Sequence, residues 1–107
     1  MAIAFVMEFP RGSQENYDAV CRRLGLDKPK PEWPRGLLTH MAGPLEEGGW
    51  IVVDEWESRE AFQRSFDDRL RGATEAAGMQ PAQQRWFTVH RDYVYGYRQH
   101  EDERKAA

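Results

Sequence analysis

A chain that runs Trp50-Ile51-Val52-Val53-Asp54-Glu55-Trp56 and then Glu57-Ser58-Arg59-Glu60-Ala61-Phe62 has few folds open to it. The first part is β-branched and aromatic, and so reads as a strand. Ser58 then offers a side-chain oxygen to the first turn of a helix. Glu60 places negative charge at the positive end of that helix, and Phe62 is its first large inward residue. The strand is apolar on both sides, with Ile51 and Val53 on one face and Trp50, Val52 and Trp56 on the other. A sheet with one face in water alternates apolar and polar residues. A strand without that alternation is expected to be covered on both faces.

The rest of the chain supplies partners for this strand. Residues 2–9 alternate, with Ile3, Phe5, Met7 and Phe9 as the bulky face, and form an expected first strand. After the Pro10-Arg11-Gly12 turn, Ser13 is a candidate N-cap. Tyr17, Val20, Cys21 and Leu24 follow at helical spacing, and Gly25 suits the position just past a helix end. Residues 27–36 form an extended, proline-rich connector that carries Trp33. A second strand is expected over 37–43, a hairpin loop over 44–49 and the third strand over 50–57. The second helix is expected over 59–77, with Phe62, Phe66, Leu70, Ala73 and Ala77 inward. A fourth strand is expected over 84–94.

The order βαββαβ predicts an α+β, ferredoxin-like fold: a four-stranded antiparallel sheet ordered 4-1-3-2 with two helices on one face. It fills one domain, 1–96, and leaves a charged tail, 97–107, expected to be disordered. Pairing the hairpin symmetrically about its loop sets Val53 opposite His40, which puts Leu38, His40 and Ala42 on the face of Ile51 and Val53. A slip of one residue would exchange the faces of strand two.

Composition narrows the partners. A chain of 107 residues buries a modest fraction of its surface. With strand three apolar on both sides, the expectation is a homodimer joined through helix-free sheet faces. The alternative cover is the C-terminal segment folded over that face. The 15 basic and 18 acidic residues are interleaved, so no basic stripe points to nucleic acid. Cys21 is the single cysteine and falls on the apolar stripe of the first helix. It reads as a buried thiol, with no disulfide and no zinc-type spacing. Met1 to Met7 lacks a basic flank and no stretch approaches transmembrane length, so no membrane partner and a cytoplasmic location are expected.

The βαββαβ order over 2–95, the Glu8-x-Pro10-x-Gly12 exit from strand one and Trp56-Glu57-Ser58-Arg59-Glu60-Ala61-Phe62 together resemble the dimeric α+β barrel superfamily. The closest resemblance is to antibiotic biosynthesis monooxygenase-like domains. It implies a homodimer with a cavity between sheet and helices. It also implies chemistry in the range of that superfamily: cofactor-free oxygenation of polyketide quinols, haem degradation, isomerisation or decarboxylation, or no reaction at all. The haem-degrading branch uses an Asn on strand one, and a Trp and an axial His in the second helix. Phe5, Ser65 and Thr74 fall at those places, and no histidine occurs between Met41 and Val89. No haem, flavin or metal cofactor is therefore expected.

The residues themselves offer a short set of candidates. His40 lies mid-strand among apolar neighbours. It is either a general base for a phenol or enol, or a core histidine satisfied by a backbone carbonyl or a tyrosine. Asp54 either orients an imidazole or, with Glu55, pairs with Arg85 or Arg91. His90 shares a face with Trp86 and Thr88, and reads as a strand-end histidine near solvent or as half of a site across a dimer. His100 falls in the tail. Trp33, Tyr17, Trp56, Trp86, Phe5 and Phe66 form the expected wall for an aromatic ligand, though the same rings equally suit a core. Trp33, between prolines, is either a lid or a staple. The leading functional expectation is a cofactor-independent monooxygenase acting on an aromatic or polyketide-type molecule, with His40 and Asp54 as catalytic residues. The alternatives are a non-catalytic binding or stress-response homodimer, and an isomerase or lyase using the same pocket.

Overall fold

The computed structural model describes residues 2–79 and 83–93. The 97–107 tail and His100 lie outside them. The elements follow from the sequence in order. Strand β1 is Ile3–Phe9 and helix α1 is Gln14–Leu24. The Ser13 side chain accepts a hydrogen bond from the Asn16 N–H at the start of α1, and Gly25 ends it in the left-handed region at φ 74°. Strands β2, Leu37–Pro44, and β3, Trp50–Trp56, form the hairpin. Ser58 caps helix α2, Arg59–Ser65, through the Ala61 N–H. The helix continues through a π-helical turn, Phe66–Leu70, into α3, Arg71–Ala76. Strand β4 is Gln83–Thr88.

The sheet is antiparallel in the order β2-β3-β1-β4, with helices packed on one face. This is the ferredoxin-like βαββαβ arrangement. Its core is Phe5, Met7 and Phe9 from β1, Trp50, Val52 and Trp56 from β3, and Val20, Phe62 and Ala73 from the helices. The turn after β1 needs a glycine for space. A Cβ on Gly12 would lie 2.7 Å from the Cβ of Phe9, whose carbonyl accepts the Gly12 N–H at 2.8 Å.

Three expectations change. The hairpin register is one residue off the symmetric one: His40 pairs with Asp54, Met41 with Val53 and Ala42 with Val52. The loop is therefore the five residues 45–49, closed by Leu45 N–H on the Gly49 carbonyl and Gly48 N–H on the Leu45 carbonyl. Gly48 and Gly49 both have positive φ, which lets so short a loop turn back. A bulge between Leu37 and Thr39 absorbs the offset. His40 and Ala42 thus face the helices with Val52 and Asp54, while Thr39 and Met41 share the helix-free face with Val53. Second, β4 stops at Thr88, so Val89 to Tyr93 leave the strand and His90 is exposed. Third, the π turn widens the second helix where an unbroken α-helix is expected: the Arg71 N–H reaches back five residues to the Phe66 carbonyl.

Candidate functional site

The register of the hairpin builds the site. Because His40 is opposite Asp54, both side chains rise from the sheet on the helix side. Tyr17 descends toward them from α1, its position fixed by the capped first turn. The His40 Nδ1 lies 2.6 Å from Asp54 Oδ1, and His40 Nε2 is hydrogen-bonded to the Tyr17 hydroxyl. The second carboxylate oxygen of Asp54 accepts the Trp56 indole N–H at 3.1 Å. Trp56 is among the most buried side chains, at 1% exposure, so it anchors Asp54 to the core.

These contacts set the tautomer. A carboxylate accepts only, so His40 donates from Nδ1 to Asp54. Its Nε2 is then an acceptor, and Tyr17 donates to it. The order from core to cavity is Trp56, Asp54, His40, Tyr17. Burial holds the Tyr17 hydroxyl well above the ordinary tyrosine value, and the neighbouring Cys21 and the charges of Asp54 and Asp18 add to this. Burial also pushes the Cys21 thiol up. Asp54 is 6% exposed, and the neutral His40 ring is its hydrogen-bond partner. The expected pairing of Asp54 and Glu55 with Arg85 or Arg91 is not found among the described residues.

This chain of polar groups borders an apolar cavity of about 120 Å³ between the sheet and the helices. Phe5, Met7, Val52 and Trp56 form part of its floor, and Val20, Leu24, Phe62, Phe66 and Leu70 part of its roof. Leu70 joins Phe66 there across the π turn. Trp33 lines the cavity from the connector while 55% exposed, so it stands where the cavity meets solvent. Of the expected ligand wall, Phe5, Tyr17, Trp33, Trp56 and Phe66 line the cavity together with His40 and Asp54.

Trp86 does not line it. Its ring packs edge-on to Phe5 and Phe62, with centroids at 4.8 and 5.0 Å, and the Arg59 guanidinium covers it at 4.4 Å. It sits one layer behind the wall because β4 is the outer strand beside β1. Cys21 and Thr74 line the cavity without having been expected there. The Thr74 hydroxyl is occupied by the Leu70 carbonyl at 2.9 Å. Of the two partners expected for a core His40, a backbone carbonyl or a tyrosine, the side chain has the tyrosine, and it is Tyr17 from the inward stripe of α1.

The cavity does not suit a haem. Among the described residues that line it the one histidine, His40, has both ring nitrogens engaged, and a porphyrin far exceeds its volume.

No family model matches the chain, and no curated protein matches it by sequence. Solved structures do. The cofactor-independent oxygenase SnoaB from Streptomyces nogalater, in a mutant form, superposes with a TM-score of 0.62 at 14% identity, over 87% of this chain and 97% of that one. A candidate antibiotic biosynthesis monooxygenase from Chloroflexus aurantiacus J-10-fl gives 0.63 at 12% identity, over 90% and 100%. A mutant of MhuD, with two manganese protoporphyrin IX molecules bound per active site, gives 0.52 at 20% identity, over 87% and 98%. The chain therefore has the fold of these proteins, the dimeric α+β barrel fold.

Proposed function

We propose that this protein is a cofactor-independent monooxygenase-like enzyme that acts on an aromatic, polyketide-type small molecule. The observation that carries the reading is the Asp54–His40–Tyr17 chain set into the wall of an otherwise apolar cavity. Such a chain is suited to removing a proton from a phenol or enol. The carboxylate stabilises the imidazolium that forms, and the rings around it exclude water. A deprotonated quinol is electron-rich enough to react with oxygen itself, so the protein needs to supply a base, a dry pocket and a fixed orientation. Fold likeness to SnoaB, a cofactor-independent oxygenase, supports the reading. We further propose that two copies pair through their helix-free sheet faces.

A second reading has a specific observation behind it. The same proton-moving chain, with no group dedicated to oxygen, equally equips an isomerase or lyase. Oxygen uptake separates the two. A panel of quinols running from hydroquinone to anthrone types should give catalysed oxygen consumption with at least one member. His40→Ala should lower that rate by about 10²–10⁴-fold, the usual contribution of a general base. No uptake with any quinol, together with proton exchange or bond cleavage under nitrogen, would favour the isomerase or lyase.

A further inference from the structure

We infer that Tyr17, and not His40, is the group that touches substrate, and that the site takes an uncharged, single-ring hydroxyarene by its O–H group. The inference rests on the proton-abstracting reading above and assigns its first contact. Both nitrogens of His40 are already engaged, Nδ1 with Asp54 and Nε2 with Tyr17. No imidazole lone pair faces the cavity. The Tyr17 oxygen donates its own proton to Nε2 and keeps a lone pair free to accept one.

The transfer is a double shift. The ligand O–H bond breaks as its proton bonds to the Tyr17 oxygen, and the original Tyr17 proton passes to His40 Nε2. The products are a hydroxyarene anion, a neutral tyrosine and an imidazolium whose Nδ1–H stays on the Asp54 carboxylate. Charge is conserved and no oxidant is consumed in this step. Burial makes a free tyrosinate costly, so the two protons move together.

The chemistry of the wall selects the ligand. Among the described residues that line the cavity there is no lysine or arginine, and Asp54 is its one acidic member. A carboxylate or phosphate would lose its water there with no counter-charge to replace it. The about 120 Å³ of space compares with the roughly 150 Å³ of a dry engineered cavity that accepts benzene. One ring fills it, and a second or third ring must extend past Trp33.

Titration of 4-nitrophenol into the full chain under nitrogen, buffered below the probe's own pKa, tests this. Tryptophan quenching reports binding, and the visible band of the nitrophenolate reports proton transfer. The wild type should bind the probe and generate the band. Tyr17→Phe should keep its melting transition and lose about 2–10-fold in affinity for one missing hydrogen bond, but lose the band. His40→Gln should also bind without the band. Three results would overturn the assignment: a band of full strength in Tyr17→Phe, 4-nitrobenzoate bound as tightly as 4-nitrophenol, or 2-hydroxyanthracene bound more tightly than either. An anion band with no oxygen uptake from any quinol supports this assignment and removes the oxygenase reading. Oxygen uptake from a quinol without a Tyr17-dependent band does the reverse.

Discussion

Asp54 and Glu55 are neighbours in sequence, yet a strand sends them to opposite faces and so to opposite roles. Asp54 enters the cavity side and finds two donors, His40 and Trp56. Glu55 enters the helix-free side, where it is 6% exposed and its Oε2 has no hydrogen-bond partner among the described residues. Burial raises its carboxyl above the ordinary 4.5, and the Asp92 carboxyl beside it raises it further. The folded chain therefore holds this proton more tightly than the unfolded chain does. Stability from this group is fully present below the ordinary glutamate value and is lost as pH rises through the folded one. Glu55→Gln keeps the shape and removes the titration. Its melting temperature should exceed that of the wild type at neutral pH, and the two should converge as pH falls below 4.5. Thermal melts at a series of pH values check this; equal melting temperatures at neutral pH would mean that the carboxyl is relieved in solution.

At the scale of elements, the junction between β3 and α2 is fixed from two sides. The Ser58 hydroxyl oxygen accepts the Ala61 N–H at 3.0 Å, and the Gly36 carbonyl accepts the Glu57 N–H at 2.8 Å. Gly36 sits at φ 94°, and a Cβ there would lie 2.7 Å from that of Ala61. Ser58→Ala should cost about 1 kcal/mol, the usual worth of an N-cap. Gly36→Ala should cost more, since the left-handed backbone alone costs about 1–2 kcal/mol before the clash is counted. Urea unfolding of both variants tests the order, and a larger loss for Ser58→Ala would reverse it. Ser58, Gly25 and the inward Phe62 were legible in the sequence because caps and periodicity are local. The strand order was legible because βαββαβ leaves few right-handed, unknotted alternatives. The face of His40 was not legible. It depends on whether the loop holds five residues or six and on the bulge at Leu37 to Thr39, and one residue of register moves a histidine from one side of the sheet to the other. An imidazole for Asp54 and a tyrosine for His40 were each among the alternatives in the sequence, but that one histidine joins both into the Asp54–His40–Tyr17 chain depends on that face. The position of Trp86 behind the cavity wall was equally hidden, since alternation gives its side of the sheet but not its distance from the ligand.

At the scale of the whole molecule, the two faces of the sheet are unequally served. The helices bury Trp50, Val52 and Trp56, while the other face leaves Met41 at 65%, Phe87 at 52% and the bulge residue Leu38 at 48% exposure. Ile51 and Val53 are only half covered between them. Scattered apolar residues are normal on a surface, but large apolar side chains gathered on one sheet face of a small domain, here interspersed with Glu8, Glu55 and Arg85, mark a place where another surface docks. A second copy offers the same face, and a stable pair needs roughly 600–1,000 Å² from each partner. Light scattering at low micromolar concentration should therefore give about twice the chain mass of 12.5 kDa. Met41→Asp puts a charge on that face, at its most exposed apolar residue on the outer strand β2, and should yield a monomer with an intact sheet. The cavity lies on the opposite side, so the monomer should still bind hydroxyarene probes, with a melting temperature that no longer depends on protein concentration. A wild-type monomer with a concentration-independent melt would show that the exposed face is tolerated in water, and the pairing of sheets would have to be abandoned.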